Sequence, residues 1–120
     1  MTMTKKLAKI KNASLNIKDR GILGFWIAVD YEDGFSQMVG GVALDDWCEA
    51  KKSRVGTAYG CELIRLLLIE FGVNDFSEMQ GMHAWVWGEG GGLQFKAKGI
   101  QALRCNNPKT EAVIFSEVTL

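Results

Sequence analysis

The sequence predicts one α+β domain over residues 1–120, built from antiparallel strands and one main buried helix, in the chain order βββ-αα-βββ. Apolar residues alternate with a period of two in the first and last thirds of the chain but follow a helical period in the middle. Such segregated runs of strands and helices are typical of α+β folds. With 120 residues, nearly half of them apolar, the chain is long enough to bury a core.

The first third predicts three strands, over residues 9–17, 22–30 and 35–44. The second run is apolar on both of its faces, so we expect it to be a central strand. Turn residues separate the three runs, which indicates an antiparallel meander. Gly40 and Gly41 interrupt the third run, and this pair predicts a bulge or a close approach of another backbone.

The middle of the chain predicts two helices. A short one begins at Asp45 or Asp46, either of which could cap it, and ends near Lys52. The main helix covers residues 58–71 and ends before Gly72, a suitable C-terminal residue. Its apolar positions at helical spacing are Cys61, Ile64, Leu67, Leu68 and Phe71. Asn74 could cap one further turn through Met79, and we expect the last strands over residues 83–87, 93–103 and 112–118.

The charge balance limits the class of partner. There are 14 basic and 14 acidic residues, whereas proteins that bind long nucleic acids usually carry a basic excess. A small anionic ligand needs only a few placed cations. The three cysteines form no C-x-x-C pair, which favours a reducing compartment, and Cys61 is expected in the core. Because no apolar run is long enough to cross a membrane, the expected location is the cytoplasm.

Catalytic and metal-binding patterns are scarce. His83 is the one histidine, it lacks neighbours at metal-ligand spacing, and the motif G-x-S-x-G does not occur. Glycines at 88 and 90–92 are followed by strand-like alternation rather than a helix, which favours a hairpin or bulge over a phosphate loop. Such a loop could still approach a flat ligand closely. We therefore expect no catalytic residue, metal or cofactor.

The entrance of the main helix carries a cation, a glycine, a hydroxyl and an aromatic ring, which are Arg54, Gly56, Thr57 and Tyr59. Arginine and the free N–H groups of a helix start suit a phosphate, so these four residues are candidate ligand contacts. The alternative is that Thr57 caps the helix and Tyr59 packs against it.

Two tryptophans form a second candidate group. Trp85 and Trp87 lie two apart and share one face of their predicted strand, where they could stack on a base or fill a core or subunit interface. Arg104 and Asn106 follow the next predicted strand and could contact phosphate and base, or lie on an ordinary surface.

Several of these segments resemble one family of small phage proteins. The matching residues are Gly21-Ile22-Leu23, Phe25-Trp26-Ile27, Val29-Asp30, Gly40-Gly41, Ala43-Leu44-Asp45 and the run from Arg54 through Val55, Gly56, Thr57, Ala58 and Tyr59 to Gly60. They lie within residues 10–73, about half of the chain, which resembles the first Thoeris anti-defence family. Residues 93–120 do not match the family pattern.

The resemblance implies a sponge without catalysis. Such proteins bind cyclic nucleotide immune signals, above all glycocyclic ADP-ribose, and hold them intact in the cytoplasm of the bacterial host so that the defence effector stays inactive. Some members also hold cyclic trinucleotides in a separate pocket. The resemblance further implies a homo-oligomer, a dimer that can assemble into a hexamer. Two other hypotheses remain open: a phage structural or adaptor protein that acts through a protein interface, and an enzyme that degrades the same messenger.

Overall fold

The fold is an α+β arrangement whose main element is a mostly antiparallel sheet. The computed structural model describes residues 3–91, 94–103 and 111–119. The elements in chain order are β1 (Thr4–Asp19), β2 (Ile22–Tyr31), β3 (Ser36–Ala43), β4 (Asp45–Cys48), β5 (Ser53–Gly56), α1 (Ala58–Phe71), β6 (His83–Glu89), β7 (Lys96–Ala102) and β8 (Val113–Ile114), with short 3₁₀ helices at Phe76–Met79 and Phe115–Glu117. Six strands pair in the order β3-β2-β1-β6-β7-β8, and β4 pairs with β5 separately.

The predicted meander and its bulge are confirmed. β2 lies between β1 and β3 and pairs antiparallel with both. The register of β2 and β3 shifts beside Gly40, which has a φ of 115°. A Cβ on Gly40 would lie 2.6 Å from the carbonyl oxygen of Phe25 and 2.7 Å from its ring. The glycine is therefore needed both for the left-handed backbone and for the approach of Phe25.

The predicted short helix from Asp45 or Asp46 to Lys52 is wrong, because the segment is the β4–β5 hairpin. Asp45 accepts a hydrogen bond from the N–H of Leu23 at 3.1 Å, so its carboxylate holds the hairpin to β2 instead of capping a helix. Trp47 pairs with Arg54 across the hairpin. The chain order is thus only partly as predicted, with eight strands and one α-helix among the described residues.

Two other boundaries are corrected. The turn at Phe76–Met79 is a 3₁₀ helix, and Asp75, not Asn74, caps it by accepting from the N–H of Ser77 at 2.9 Å. The last predicted strand is short: β8 has two residues before a 3₁₀ turn begins at Phe115. Some predictions concern residues outside the described part of the chain. They are the glycine loop at residue 92, the strand start at residue 93 and the ligand contacts at Arg104 and Asn106.

Helix α1 has the predicted ends but a different buried face. It ends at Gly72, whose φ of 64° is left-handed. Its buried residues are Gly60, Leu63, Leu67 and Phe71, and the expectation that Cys61 lies in the core is wrong because Cys61 is exposed. The buried stripe begins one residue earlier because α1 meets the backbone of Leu44 at Gly60, where a Cβ would lie 2.2 Å from the Leu44 carbonyl oxygen.

The two faces of the sheet differ. One face packs against α1 around a core that includes Phe25, Ile27, Val29, Val86 and Ile100. The sheet curls around this core far enough that Gln37 of β3 donates from Nε2 to the carbonyl of Phe95, which precedes β7, at 2.9 Å. The opposite face carries the alternate residues of the same strands, among them the tryptophans of β2 and β6. Within the described residues no helix combines the length and the apolar character needed to cross a bilayer.

Candidate functional site

Trp85 and Trp87 lie side by side on the face of β6 that points away from the core. The residues between and before them, Val86 and Ala84, are fully buried, whereas both tryptophans are half-buried. β6 is a middle strand of the sheet, between β1 and β7, so its neighbours hold the rings in fixed positions. The two rings therefore offer aromatic surface on a rigid element rather than on a loop.

A lysine lies over both rings. Lys5 of β1 is directly opposite Trp87, and its ammonium nitrogen is 4.5 Å from the ring centroid of Trp85 and 5.5 Å from that of Trp87. Both distances are within the range of cation–π attraction. On the other side, Trp87 donates from Nε1 to Oε1 of Gln101 in β7 at 2.9 Å, which fixes the orientation of the indole. We call Lys5, Trp85, Trp87 and Gln101 the tryptophan surface.

Arg54, the predicted phosphate contact, is tied to Asp45. Its Nη2 donates to Oδ1 of Asp45 at 2.8 Å and to the carbonyl oxygen of the same residue at 2.9 Å. This hydrogen bond is the main reason that the pKa of Arg54 is raised and that of Asp45 lowered. Arg54 Nε is buried without a hydrogen-bond partner. The charge of Arg54 is thus balanced within the chain, while part of its donor capacity is unused.

Thr57 and Tyr59 hold structural positions. The Thr57 hydroxyl accepts from the N–H of Gly60 at 2.9 Å, which caps α1, and donates to the carbonyl of Leu44 at 3.0 Å. The Tyr59 hydroxyl donates to the carbonyl of Phe115 at 2.6 Å, and burial raises its pKa. The capping and packing alternative left open by the sequence therefore accounts for both hydroxyls.

Gly56 is exposed, with no atom within 4 Å of where a Cβ would be. Together with Thr57 it lines a cleft of about 270 Å³ whose other walls are Leu15, Leu23, Leu44, Gly60, Cys61 and Ile64. These walls are almost wholly apolar, so the cleft itself has the wrong chemistry for a phosphate.

The two groups of candidate residues lie far apart in one chain. Asp45, the partner of Arg54, binds the N–H of Leu23, beside the pairing of Gly24 with Asn16 of β1. Trp87 instead pairs with Lys5, eleven residues earlier on β1. At about 3.3 Å per residue this separation is roughly 35 Å along the strand. A single copy therefore does not bring Arg54 against the tryptophans, and Arg104 and Asn106 lie outside the described residues.

Lys5 and Gln101 were missed by sequence reasoning. Their roles depend on the register by which β6 pairs with β1 and β7, and register is a property of the folded sheet. The signal in the sequence is only that Lys5 shares one strand face with Leu7 and Lys9.

A larger cleft lies between α1 and the C-terminal segment. It has a volume of about 520 Å³ and is lined by Glu62, Leu66, Ile69, Glu70, Glu111, Ala112, Val113, Ile114, Glu117, Val118 and Thr119. Its four carboxylates oppose a phosphate by charge, so we do not place an anionic ligand there. Within the described residues no group of three or more histidine, cysteine, aspartate and glutamate side chains is arranged to hold a metal ion.

Comparison with protein-family models, with curated proteins and with solved structures returns no match. The geometry of the described residues is therefore the basis for assigning a role to the tryptophan surface.

Proposed function

We propose that this protein binds a small cyclic nucleotide signal and sequesters it without cleaving it, as a phage anti-defence sponge. Glycocyclic ADP-ribose is the ligand that the family resemblance implies, with cyclic trinucleotides as a second class. The observation that carries the proposal is the placement of Lys5 over the rings of Trp85 and Trp87 on one sheet face. Indole rings stack on a base, and an ammonium group pairs with phosphate.

An open sheet face touches a ligand from one side only, whereas tightly held small ligands have 70–90% of their surface buried. A sponge needs about nanomolar affinity, near −12 kcal/mol, and a ligand of about 35 heavy atoms reaches roughly −11 kcal/mol at about −0.3 kcal/mol per atom. The ligand can come this close to the required affinity only if most of its surface is enclosed. We therefore propose that a second copy of the chain covers the tryptophan surface in a homo-oligomer and that Arg54 acts from that neighbouring copy.

Sequestration without cleavage is supported by the surroundings of the rings. His83 is exposed on the same face of β6, and among the described residues it has no side-chain hydrogen bond to a carboxylate that would orient it as a general base. The four residues of the tryptophan surface include no hydroxyl, thiol or carboxylate. Its residues supply stacking, charge and one amide, which are binding groups rather than a reaction centre.

The decisive experiment is calorimetric titration of the full chain with glycocyclic ADP-ribose, followed by heating of the complex and analysis of the released ligand. We expect submicromolar binding and recovery of unchanged ligand. Trp85→Ala should weaken binding at least tenfold, because stacking contributes about 1–3 kcal/mol per base. Met38→Ala is the control, since Met38 is 54% exposed on β3, outside both the tryptophan surface and the β4–β5 hairpin that carries Arg54.

Three outcomes would contradict the proposal. Absence of binding at micromolar concentrations removes the sponge function. Recovery of a cleaved product favours an enzyme that degrades the messenger. A stable oligomer whose melting temperature is unchanged by a panel of cyclic dinucleotides, cyclic trinucleotides and cyclic ADP-ribose isomers favours a structural or adaptor protein.

A further inference from the structure

We infer that Lys5 makes the tryptophan surface selective for phosphorylated nucleotides over nucleosides, because its ammonium group occupies the place on the rings that a base must take. This inference rests on the proposed function and names a determinant of its specificity. It concerns one residue that neither the motifs nor the resemblance single out.

The starting geometry is specific. Lys5 lies on β1 opposite Trp87, and its Nζ is held 4.5 and 5.5 Å from the centroids of the two indoles. Among the described residues, Lys5 has no carboxylate partner. Its neighbour Lys6, which faces the other way, pairs with Asp33 at 3.1 Å. The rings are thus the electrostatic partner of Lys5 in the free protein.

A base that stacks on these rings has to displace the ammonium group. The displaced cation loses its cation–π attraction, and a nucleoside offers no negative charge in return. A nucleotide does, because its phosphate lies a few ångströms from its base, and the four-carbon stem of lysine lets the ammonium move to meet it. Stacking and phosphate binding are therefore coupled through one side chain.

This coupling predicts opposite effects of one substitution on two ligands. In Lys5→Ala the rings are free, so adenosine should bind about two- to fivefold more tightly than it binds the wild type. Adenosine 5′-diphosphate should bind the same variant about tenfold more weakly or worse, because a charge-assisted contact is lost. Both titrations are read from tryptophan fluorescence of the full chain, with thermal melts to verify that each variant is folded.

Lys9→Ala is the matched control. Lys9 lies on the same strand and the same face, opposite His83, and its loss removes the same charge without uncovering either ring. We expect this variant to bind adenosine 5′-diphosphate slightly more weakly and to bind adenosine as the wild type does, because only the general charge has changed.

The outcomes separate this inference from the proposed function. If both ligands bind the wild type and Lys5→Ala shifts them in the same direction, Lys5 is not the selector, but the nucleotide site stands. The same conclusion follows if Lys9→Ala, like Lys5→Ala, strengthens the binding of adenosine and weakens the binding of adenosine 5′-diphosphate. If neither adenosine 5′-diphosphate nor glycocyclic ADP-ribose binds the wild type, the proposed function and the inference are both wrong.

Discussion

Arg54 Nη2 donates to two oxygens of Asp45, Oδ1 at 2.8 Å and the carbonyl at 2.9 Å. Asp45 is itself buried and accepts the N–H of Leu23 at 3.1 Å. The pair therefore joins the β4–β5 hairpin to the start of β2. A residue that the sequence offers as a ligand contact has a structural role as well, and experiments on Arg54 must measure stability beside affinity.

We predict that Arg54→Ala destabilises the protein at neutral pH and makes its stability less dependent on pH in acid. The pKa of Asp45 is lowered from its ordinary 3.8, chiefly by the hydrogen bond from Arg54. A lowered pKa in the folded state gives stability that is present above pH 3.8 and is lost as the pH falls through the lowered value. Without Arg54 the pKa of Asp45 moves back toward its ordinary value, so this loss disappears, and the difference in stability between wild type and Arg54→Ala should shrink as the pH falls below 3.8.

Thermal unfolding measured from neutral to acidic pH tests this prediction. Arg65→Ala is the control, because Arg65 forms an exposed ion pair with Glu62 at 3.5 Å on α1, away from the hairpin. Superimposable pH profiles for Arg54→Ala and Arg65→Ala would show that the contact with Asp45 contributes nothing to the pH dependence of stability.

Substitution by alanine should change the free energy of unfolding differently at Gly56, which precedes α1, and at Gly60, which lies within it. A Cβ on Gly60 would lie 2.2 Å from the carbonyl oxygen of Leu44, so Gly60→Ala should destabilise by about 1–3 kcal/mol. A Cβ on Gly56 meets no atom within 4 Å, so Gly56→Ala should be neutral or stabilise by up to about 1 kcal/mol through the unfolded chain. Urea unfolding measures both, and equal free energies of unfolding would contradict the packing of α1 against Leu44.

The turn between β1 and β2 holds a strained residue. Arg20 and Gly21 have φ values of 56° and 78°, which is the pattern of a type I′ hairpin turn. Asparagine tolerates the left-handed region better than arginine does, so Arg20→Asn should stabilise the fold by about 0.5–1 kcal/mol. Asp19→Asn is the control, because Asp19 has no positive φ. A melting temperature that rises in both variants alike would show that the gain does not come from the left-handed backbone of Arg20, because Asp19 has no such backbone.

The sequence predicts strand positions well where one face is buried. Residues 22–30 alternate between Phe25, Ile27 and Val29 on the core face and Trp26 and Ala28 on the other, and β2 is a central strand as expected. Strong period-two patterns succeed because burial of one face enforces them. The bulge at Gly40 and Gly41 could likewise be predicted, because few residues other than glycine adopt a positive φ.

The β4–β5 hairpin and the tryptophan surface could not be predicted from the sequence, because tertiary contacts and strand register determine them. Asp45 has the residue type of a helix cap, but its carboxylate binds Leu23, which is 22 residues earlier, and this tertiary contact overrides the local preference. Lys5 reaches the tryptophans only through cross-strand register. The separation of Arg54 from Trp87, roughly 35 Å measured along β1, likewise follows from their positions along the sheet, and spacing in the sequence does not reveal it.

The last prediction concerns self-association through the free part of β1. β1 pairs with β6 only from Thr4 to Lys9, and along residues 11–19 it has β2 as a strand neighbour but, in the described part of the chain, no strand on its other side. Leu15 and Ile17 are 43% and 61% exposed on this stretch. An unpaired edge with exposed apolar residues favours pairing with another copy.

Ile17→Lys should therefore weaken self-association of the full chain roughly tenfold or more, since the lost burial of an isoleucine is about 1.5–3 kcal/mol. Sedimentation velocity over a range of concentrations measures the effect. Met38→Lys is the control, because Met38 is 54% exposed on β3, a different edge of the sheet. A wild-type chain that remains monomeric at high concentration would contradict the proposed homo-oligomer, and two variants that dissociate equally would place the contact between copies elsewhere. If Ile17→Lys also weakens glycocyclic ADP-ribose binding while Met38→Lys does not, enclosure of the ligand depends on the assembled oligomer.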